Sequence, residues 1–357
     1  MASLDSHRAL REVIGAGKAA VQKLGIEGIA RFIARQPDVG GRLVLSNVRG
    51  AGDVGASSGI VLFTARYDGA DGPLSRDLVL RHAPQSQSRL FYAYDLARQF
   101  KVQLALHRQG RVPVPEPLWL DADGRELGVQ GFVMAQKPGA APHSAAFASG
   151  PLVALTPAER ALALDDVLRA QADIHNTNLA AAGLEDFMMP AEGQTALARC
   201  INWYWQTWDW IQTKDHARLA PVRRWLLDNA PARGPELTHG DATLHNYMFH
   251  NKRLSAVIDW EMSCLGHAET DLALQCLTNR LFAPPPASGL PRPPATAEWL
   301  ARYRAQGGRA LAGLEYYTRL AAYIITIALG ALQRNMPAAQ RAAQQPFAEA
   351  IWWEAEN

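Results

Sequence analysis

A chain of 357 residues that is 48% hydrophobic can bury a large core, and its length exceeds that at which single cores usually divide, so two lobes are expected. Lys and Arg number 36 against 34 Asp and Glu, and the net charge of +2 is spread along the chain, which leaves no electrostatic footprint for nucleic acid. Cys200, Cys264 and Cys276 are odd in number and far apart, the first ten residues are polar, and no apolar run reaches the ~20 residues of a membrane span, which together suit a reducing cytoplasm.

Residues 8–35 carry helical spacing interrupted by glycines and predict one or two lead-in helices. Strands follow at Leu43–Leu45, Ile60–Phe63 and Leu78–Leu80, separated by glycine-rich turns. Gly50-Ala51-Gly52-Asp53-Val54-Gly55 matches the dinucleotide fingerprint by letter, but that fingerprint must open a helix, and here Ser57-Ser58-Gly59 leads into another strand. Strand, loop, strand is instead the context of a loop that covers phosphates from a hairpin, with Ser57 and Ser58 as the candidate contacts.

A helix is expected over Leu90–Gln109, an extended segment at Val112-Pro113-Val114-Pro115 because each Pro biases its predecessor away from helix, and a strand over Gly131–Gln136. Beyond Pro138 the pattern is mainly helical, with a central helix over Leu162–His175. Residues 201–211 hold four tryptophans, of which Trp203 and Trp210 share one face and Trp205 and Trp208 another, a pattern of core packing more than of a binding wall. Residues 284–296 are a proline-rich surface loop, and Leu320–Leu332 is a buried helix.

The chemistry concentrates in His239-Gly240-Asp241-Ala242-Thr243-Leu244-His245-Asn246 and in Asp259. Asp241 and Asn246 are five apart, a spacing that suits a loop folding back on itself better than a helix face. Ala256-Val257-Ile258 reads as a short buried strand that delivers Asp259 at its end. Two carboxylates and an amide oxygen then converge, a set that suits Mg²⁺ completed by substrate phosphates. Asp241 would take the proton of a substrate hydroxyl while Asn246 and Asp259 hold the metal on ATP. His239 is expected to be structural. His245, His250, His267 and Cys264 are zinc-ligand types, but their spacing fits no paired zinc signature.

This segment resembles the kinase-like phosphotransferase family of aminoglycoside phosphotransferases and choline kinases. The wording Val257-Ile258-Asp259-Trp260-Glu261-Met262-Ser263-Cys264-Leu265-Gly266, followed by Asp271-Leu272-Ala273, is most similar to the branch fused to acyl-CoA dehydrogenases, whose members are associated with phosphorylating hydroxyacyl-CoA thioesters. The resemblance implies an α+β, two-lobed protein-kinase-like fold, with a β-rich N-lobe over residues 1–136 and a mainly helical C-lobe over residues 137–357. It places Arg81 where the family usually carries a phosphate-binding Lys and Gln99 where its partner Glu stands, and both are departures. It also implies adenine contacts by the backbone of Met134, Ala135 and Gln136, a metal or substrate contact for Glu261, and for Asp271 both a helix cap and hydrogen bonds to the catalytic loop.

The activity implied is ATP- and Mg²⁺-dependent transfer of phosphate to the hydroxyl of a small molecule in the cytoplasm. A CoA thioester is the preferred acceptor, and an aminoglycoside or amino alcohol the alternative. A nucleotide-binding pseudokinase is the rival from another class, favoured by Arg81 and Gln99 and opposed by Asp241, Asn246 and Asp259.

Overall fold

The computed structural model describes residues 25–50, 59–84, 89–211, 216–334 and 336–356. The chain divides into two compact units: Met1–Leu104 with Pro115–Gln136 and Met336–Ala343, and Ala105–Val114 with Lys137–Asn335 and Gln344–Asn357. Residues 105–114 thus fall in the second unit and 336–343 in the first, which differs from a single division after residue 136.

The first unit opens with helix α1 (Ile26–Ala34), followed by strands β1 (Gly40–Gly50), β2 (Gly59–Gly69) and β3 (Gly72–His82). The apolar runs seen in the sequence lie within these strands, which extend beyond them in antiparallel pairing. β2 and β3 pair without a break from Gly59↔His82 to Gly69↔Gly72. Helix α2 (Leu96–Gln109) and strands β4 (Pro117–Asp121) and β5 (Gly131–Ala135) complete an antiparallel sheet of order β1-β2-β3-β5-β4.

The period-two alternation of β3 divides its side chains between the two faces. Leu78 and Leu80 join Ile29, Phe32 and Ile33 of α1, while Val79 packs with Leu96 of α2, Phe132 and Met134. Each such fully buried side chain contributes about 1.5–3 kcal/mol. Helix α2 begins six residues later than its expected start at Leu90. The Tyr94 hydroxyl accepts the Leu90 N–H, and the Asp95 carboxylate accepts the Arg98 N–H, which makes Asp95 the cap.

The second unit contains helices α3 (Pro157–His175), α4 (Leu179–Ala182), α5 (Ala196–Trp210) and α6 (His216–Asp228), then strand β6 (Glu236–Thr238), the hairpin β7 (Tyr247–His250) and β8 (Arg253–Val257), and strand β9 (Cys264–Gly266). Helices α7 (Ala268–Leu281), α8 (Thr296–Ala305), α9 (Leu314–Gln333), α10 (Ala338–Ala343) and α11 (Gln345–Glu356) follow, α10 belonging to the first unit. α3 starts earlier than its apolar pattern because Thr156 and Glu159 form a reciprocal capping box ahead of Pro157.

In α5 Trp203 and Trp208 are the buried tryptophans. Trp205 and Trp210 instead carry the guanidinium groups of Arg223 and Arg334 over their rings, at 5.0 and 4.0 Å from the centroids. Long α9 packs its buried face against α7. Among the described residues no helix is long and apolar enough to cross a membrane.

Candidate active site

β6 pairs with β9 and ends at Thr238, whose hydroxyl donates to Cys264 O at 2.9 Å while Ser263 Oγ donates to Thr238 O at 2.7 Å. The chain then leaves the sheet, and the next two N–H groups need other acceptors. The Asp271 carboxylate supplies both, accepting from His239 N at 2.7 Å and from Gly240 N at 3.0 Å. Asp271 is fully buried on α7, and His175 at the end of α3 stands between it and Tyr303, with Nε2 at 3.1 Å from Asp271 Oδ2 and Nδ1 at 2.9 Å from Tyr303 Oη. The cap position of α7 belongs to His267, which makes no side-chain cap bond, so of the two roles expected of Asp271 the hydrogen bonds to the loop are present and the cap is not.

Gly240 is required by two features of the turn. Its φ is +83°, and a Cβ there would stand 2.0 Å from Met262 O. His239 fastens the loop on the other side: Nδ1 accepts the Asp241 N–H at 3.3 Å and Nε2 donates to Ile258 O at 2.9 Å, with the ring packed 4.6 Å from that of Trp260. One carbonyl thus ties the loop to the strand end that carries Asp259.

Asp241 presents a half-buried carboxylate. Thr243 Oγ1 donates to Oδ1 at 2.9 Å, and His245 Nε2 lies 3.4 Å from Oδ2. Burial alone would raise the Asp241 carboxyl, but His245, with smaller contributions from His239 and Thr243, outweighs it and holds the group well below the usual carboxylate range. His245 responds in the opposite sense: burial lowers its imidazole, and the Asp241 and Asp259 charges more than compensate. At neutral pH Asp241 is therefore an ionised acceptor, the form a proton-accepting base needs.

Asn246 ends a single turn of 3₁₀ helix, Leu244–Asn246, and donates through Nδ2 to Asp241 O at 2.8 Å, which leaves its Oδ1 for a ligand. Its own carbonyl accepts the Ile258 N–H at 2.9 Å, just beyond the Tyr247↔Val257 pair of the β7-β8 hairpin. Asn246 and Asp259 therefore leave the same end of one hairpin. Asp259 has φ 67° and ψ 61°, a left-handed conformation that costs a non-glycine residue about 1 kcal/mol or more. Glu261 follows in the half-buried turn Trp260–Met262.

Asn246 and Asp259 offer hard oxygen ligands but too few to enclose an ion, and among the described residues no three His, Cys, Asp or Glu side chains gather to hold one. The pair fits Mg²⁺, which keeps several waters and takes further ligands from substrate phosphates.

In the first unit Arg81 and Gln99 are both buried. Arg81 lies on the β3 face shared with Val79, the face against which α2 packs. Ala135 N donates to Glu116 O and Gln136 N to Asp77 O, both at 2.9 Å, so neither of these two N–H groups is spare for a base. Ser57 and Ser58 lie outside the described residues.

Sequence reasoning passed over Thr243 as a partner of Asp241, considered His245 only as a metal ligand, and did not find His175 or Gln171. Gln171 Nε2 donates to the Tyr247 hydroxyl at 3.2 Å, and no local pattern marks a partner 76 positions away. Thr243 and His245 sit inside the loop, and their signal was proximity to Asp241 itself.

Residues 65–323 match the profile of the phosphotransferase enzyme family. Acyl-CoA dehydrogenase family member 11 of Homo sapiens is 32% identical over 199 residues, 55% of this chain and 24% of that protein. Acyl-CoA dehydrogenase family member 10 of Mus musculus is 29% identical over 205 residues, 57% of this chain and 18% of that protein. The chain thus spans about a quarter or less of the length of these curated relatives. Among solved structures, a Ralstonia eutropha JMP134 protein named after the aminoglycoside phosphotransferases superposes with a TM-score of 0.66 at 23% identity, covering 93% of this chain and 98% of that one. The amicoumacin kinase hAmiN, in complex with AMP-PNP, Ca²⁺ and Ami, gives 0.56 at 12% identity, covering 95% and 96%. These likenesses establish the kinase-like α+β fold.

Proposed function

The chain belongs to the phosphotransferase enzyme family, a family of small-molecule kinases, and from that premise we propose that it transfers the γ-phosphoryl group of ATP, with Mg²⁺, to an alcohol. The observation that carries this reading is the single hydrogen-bonded loop on which Asp241, Asn246 and Asp259 are held. Asp241 accepts the hydroxyl proton at its carboxylate as the oxygen attacks. Asn246 Oδ1 and the Asp259 carboxylate hold the metal, which when bound neutralises phosphate charge. In the first unit Arg81 pairs with the nucleotide phosphates, Gln99 steadies that side chain, and Ser57 and Ser58 reach the phosphates from their loop. The base is met by the backbone of residues 134–136 through groups other than the two engaged N–H donors. Glu261 contacts the metal or the substrate hydroxyl.

A hydroxyacyl-CoA is the preferred acceptor class. Similarity to the acyl-CoA dehydrogenase family members supports it, since in that branch the kinase portion shares a chain with an acyl-CoA enzyme. A nucleotide-binding protein without turnover is the second reading, favoured by Gln99 in a buried position where an acidic partner would form an ion pair.

The test is thermal unfolding with ATP, with Mg²⁺ and with both. Ligand at one hundred times its dissociation constant stabilises by about 2.7 kcal/mol. A shift that needs both supports the nucleotide and metal site, and none at millimolar ATP removes the reading. ADP release in the presence of hydroxyacyl-CoAs then separates turnover from binding alone.

A further inference from the structure

Beside the catalytic loop the second unit holds a recess of about 350 Å³, its open mouth included. One wall is Thr243–His245 and another is α7, with Phe147 and Phe282 among the apolar lining. Among the described residues no Asp, Glu, Lys or Arg lines it. On α7 the recess meets Gln275 and Asn279, one helical turn apart, in a stretch whose neighbours Leu272, Ala273 and Leu277 are core residues. Gln275 Nε2 donates to Asn279 Oδ1 at 2.8 Å. That bond leaves Gln275 Oε1 and Asn279 Nδ2 buried and, among the described residues, without a hydrogen-bond partner.

A buried polar atom left unpaired costs about 1–3 kcal/mol, so two in one interlocked pair are an unmet demand for a ligand. Gln275 Oε1 is a free acceptor and Asn279 Nδ2 a free donor, the two kinds of group that the N–H and the C=O of an amide satisfy. The recess offers no carboxylate to an ammonium group, while His245 on its far wall stands 3.4 Å from the base Asp241. We infer that the Gln275–Asn279 pair makes this recess an acceptor subsite selective for an alcohol that presents an uncharged amide to it, and unfavourable to a cationic amino alcohol. The inference rests on the phosphotransferase reading and names the substrate class of that site.

The experiment compares two small hydroxyl compounds, N-(2-hydroxyethyl)acetamide and ethanolamine, by saturation-transfer NMR on the full chain with Mg²⁺ and AMP-PNP. The hydroxyamide is expected to give the stronger signal, by about tenfold in affinity, the worth of roughly one well-made hydrogen bond and the missing counter-charge. Asn279→Leu removes that preference. Asn279→Asp, nearly isosteric, reverses it towards ethanolamine, an outcome that a merely structural role does not produce.

No hydroxyamide signal with the native chain, or equal signals from native chain and Asn279→Leu, overturns the inference. The thermal shift with ATP and Mg²⁺ on the same samples separates the two readings. A retained shift without hydroxyamide binding sinks amide selection alone, and a hydroxyamide signal without a nucleotide shift sinks its assignment to a phosphoryl acceptor.

Discussion

Asp271 accepts the backbone N–H of His239 at 2.7 Å across 32 positions of sequence, and through that contact a helix of the second unit sets the first residue of the proposed catalytic loop. Asp271→Asn replaces one acceptor oxygen by an NH₂ that confronts the His239 or Gly240 N–H. A loss of about 3 kcal/mol is expected, the cost of an unmade buried hydrogen bond to a charged group, together with a fall in transfer rate. Urea denaturation reads the first and steady-state kinetics the second. An unchanged midpoint would count against the anchoring role.

Asp241→Asn keeps the shape of the loop and removes the base. Transfer should drop by about 10²–10⁴, the usual contribution of a positioned proton acceptor, while the affinity for nucleotide and Mg²⁺ changes little. Coupled-assay turnover and calorimetric titration separate the two quantities.

Gly240→Ala needs no loss of a functional group to do harm. The added methyl would meet Met262 O at 2.0 Å in a backbone conformation that alanine rarely adopts. Destabilisation of about 2 kcal/mol or more is expected, with lowered activity at temperatures where the chain is still folded. Circular dichroism melting beside an activity profile distinguishes displacement of the loop from global unfolding.

Arg309 hydrogen-bonds both Glu236 and Glu269, and Arg233 reaches the same two carboxylates. Burial alone would raise both glutamates, but Arg309 outweighs it and holds them below their ordinary value of 4.5. Depressed carboxyls contribute stability above that value and lose it as pH falls further, through their folded-state values. Arg309→Met leaves Glu269, with almost no exposed surface, facing one cation fewer. The acid unfolding transition should therefore move to higher pH, and a pH titration of intrinsic fluorescence would show it; an unmoved transition would mean that Arg233 suffices.

The loop residues Asp241, Asn246 and Asp259 were legible because their chemistry is written within about twenty positions and the strand between them is β-branched. The sheet was legible at its centres, since Leu78, Val79 and Leu80 are apolar on both faces, but its ends were not: they are set by pairing with a neighbouring strand, which the composition of one strand does not encode. The late start of α2 turned on Asp95 and Tyr94, whose hydrogen bonds override the apolar pattern before them. His175 and Gln171 were illegible for a different reason. Each belongs to a helix whose own pattern accounts for it, and only tertiary packing brings it to Asp271 or Tyr247.

The left-handed backbone at Asp259 bears on how such a chain can lose its chemistry. Glycine is more comfortable in that conformation, and Asp and Gly codons differ by a single nucleotide. The simplest inactivating substitution at the proposed metal ligand therefore relieves a strained backbone position as it removes the carboxylate. A silent descendant of that kind keeps its parent's backbone path, so abundance and thermal robustness would be misleading guides to whether a homologue still works.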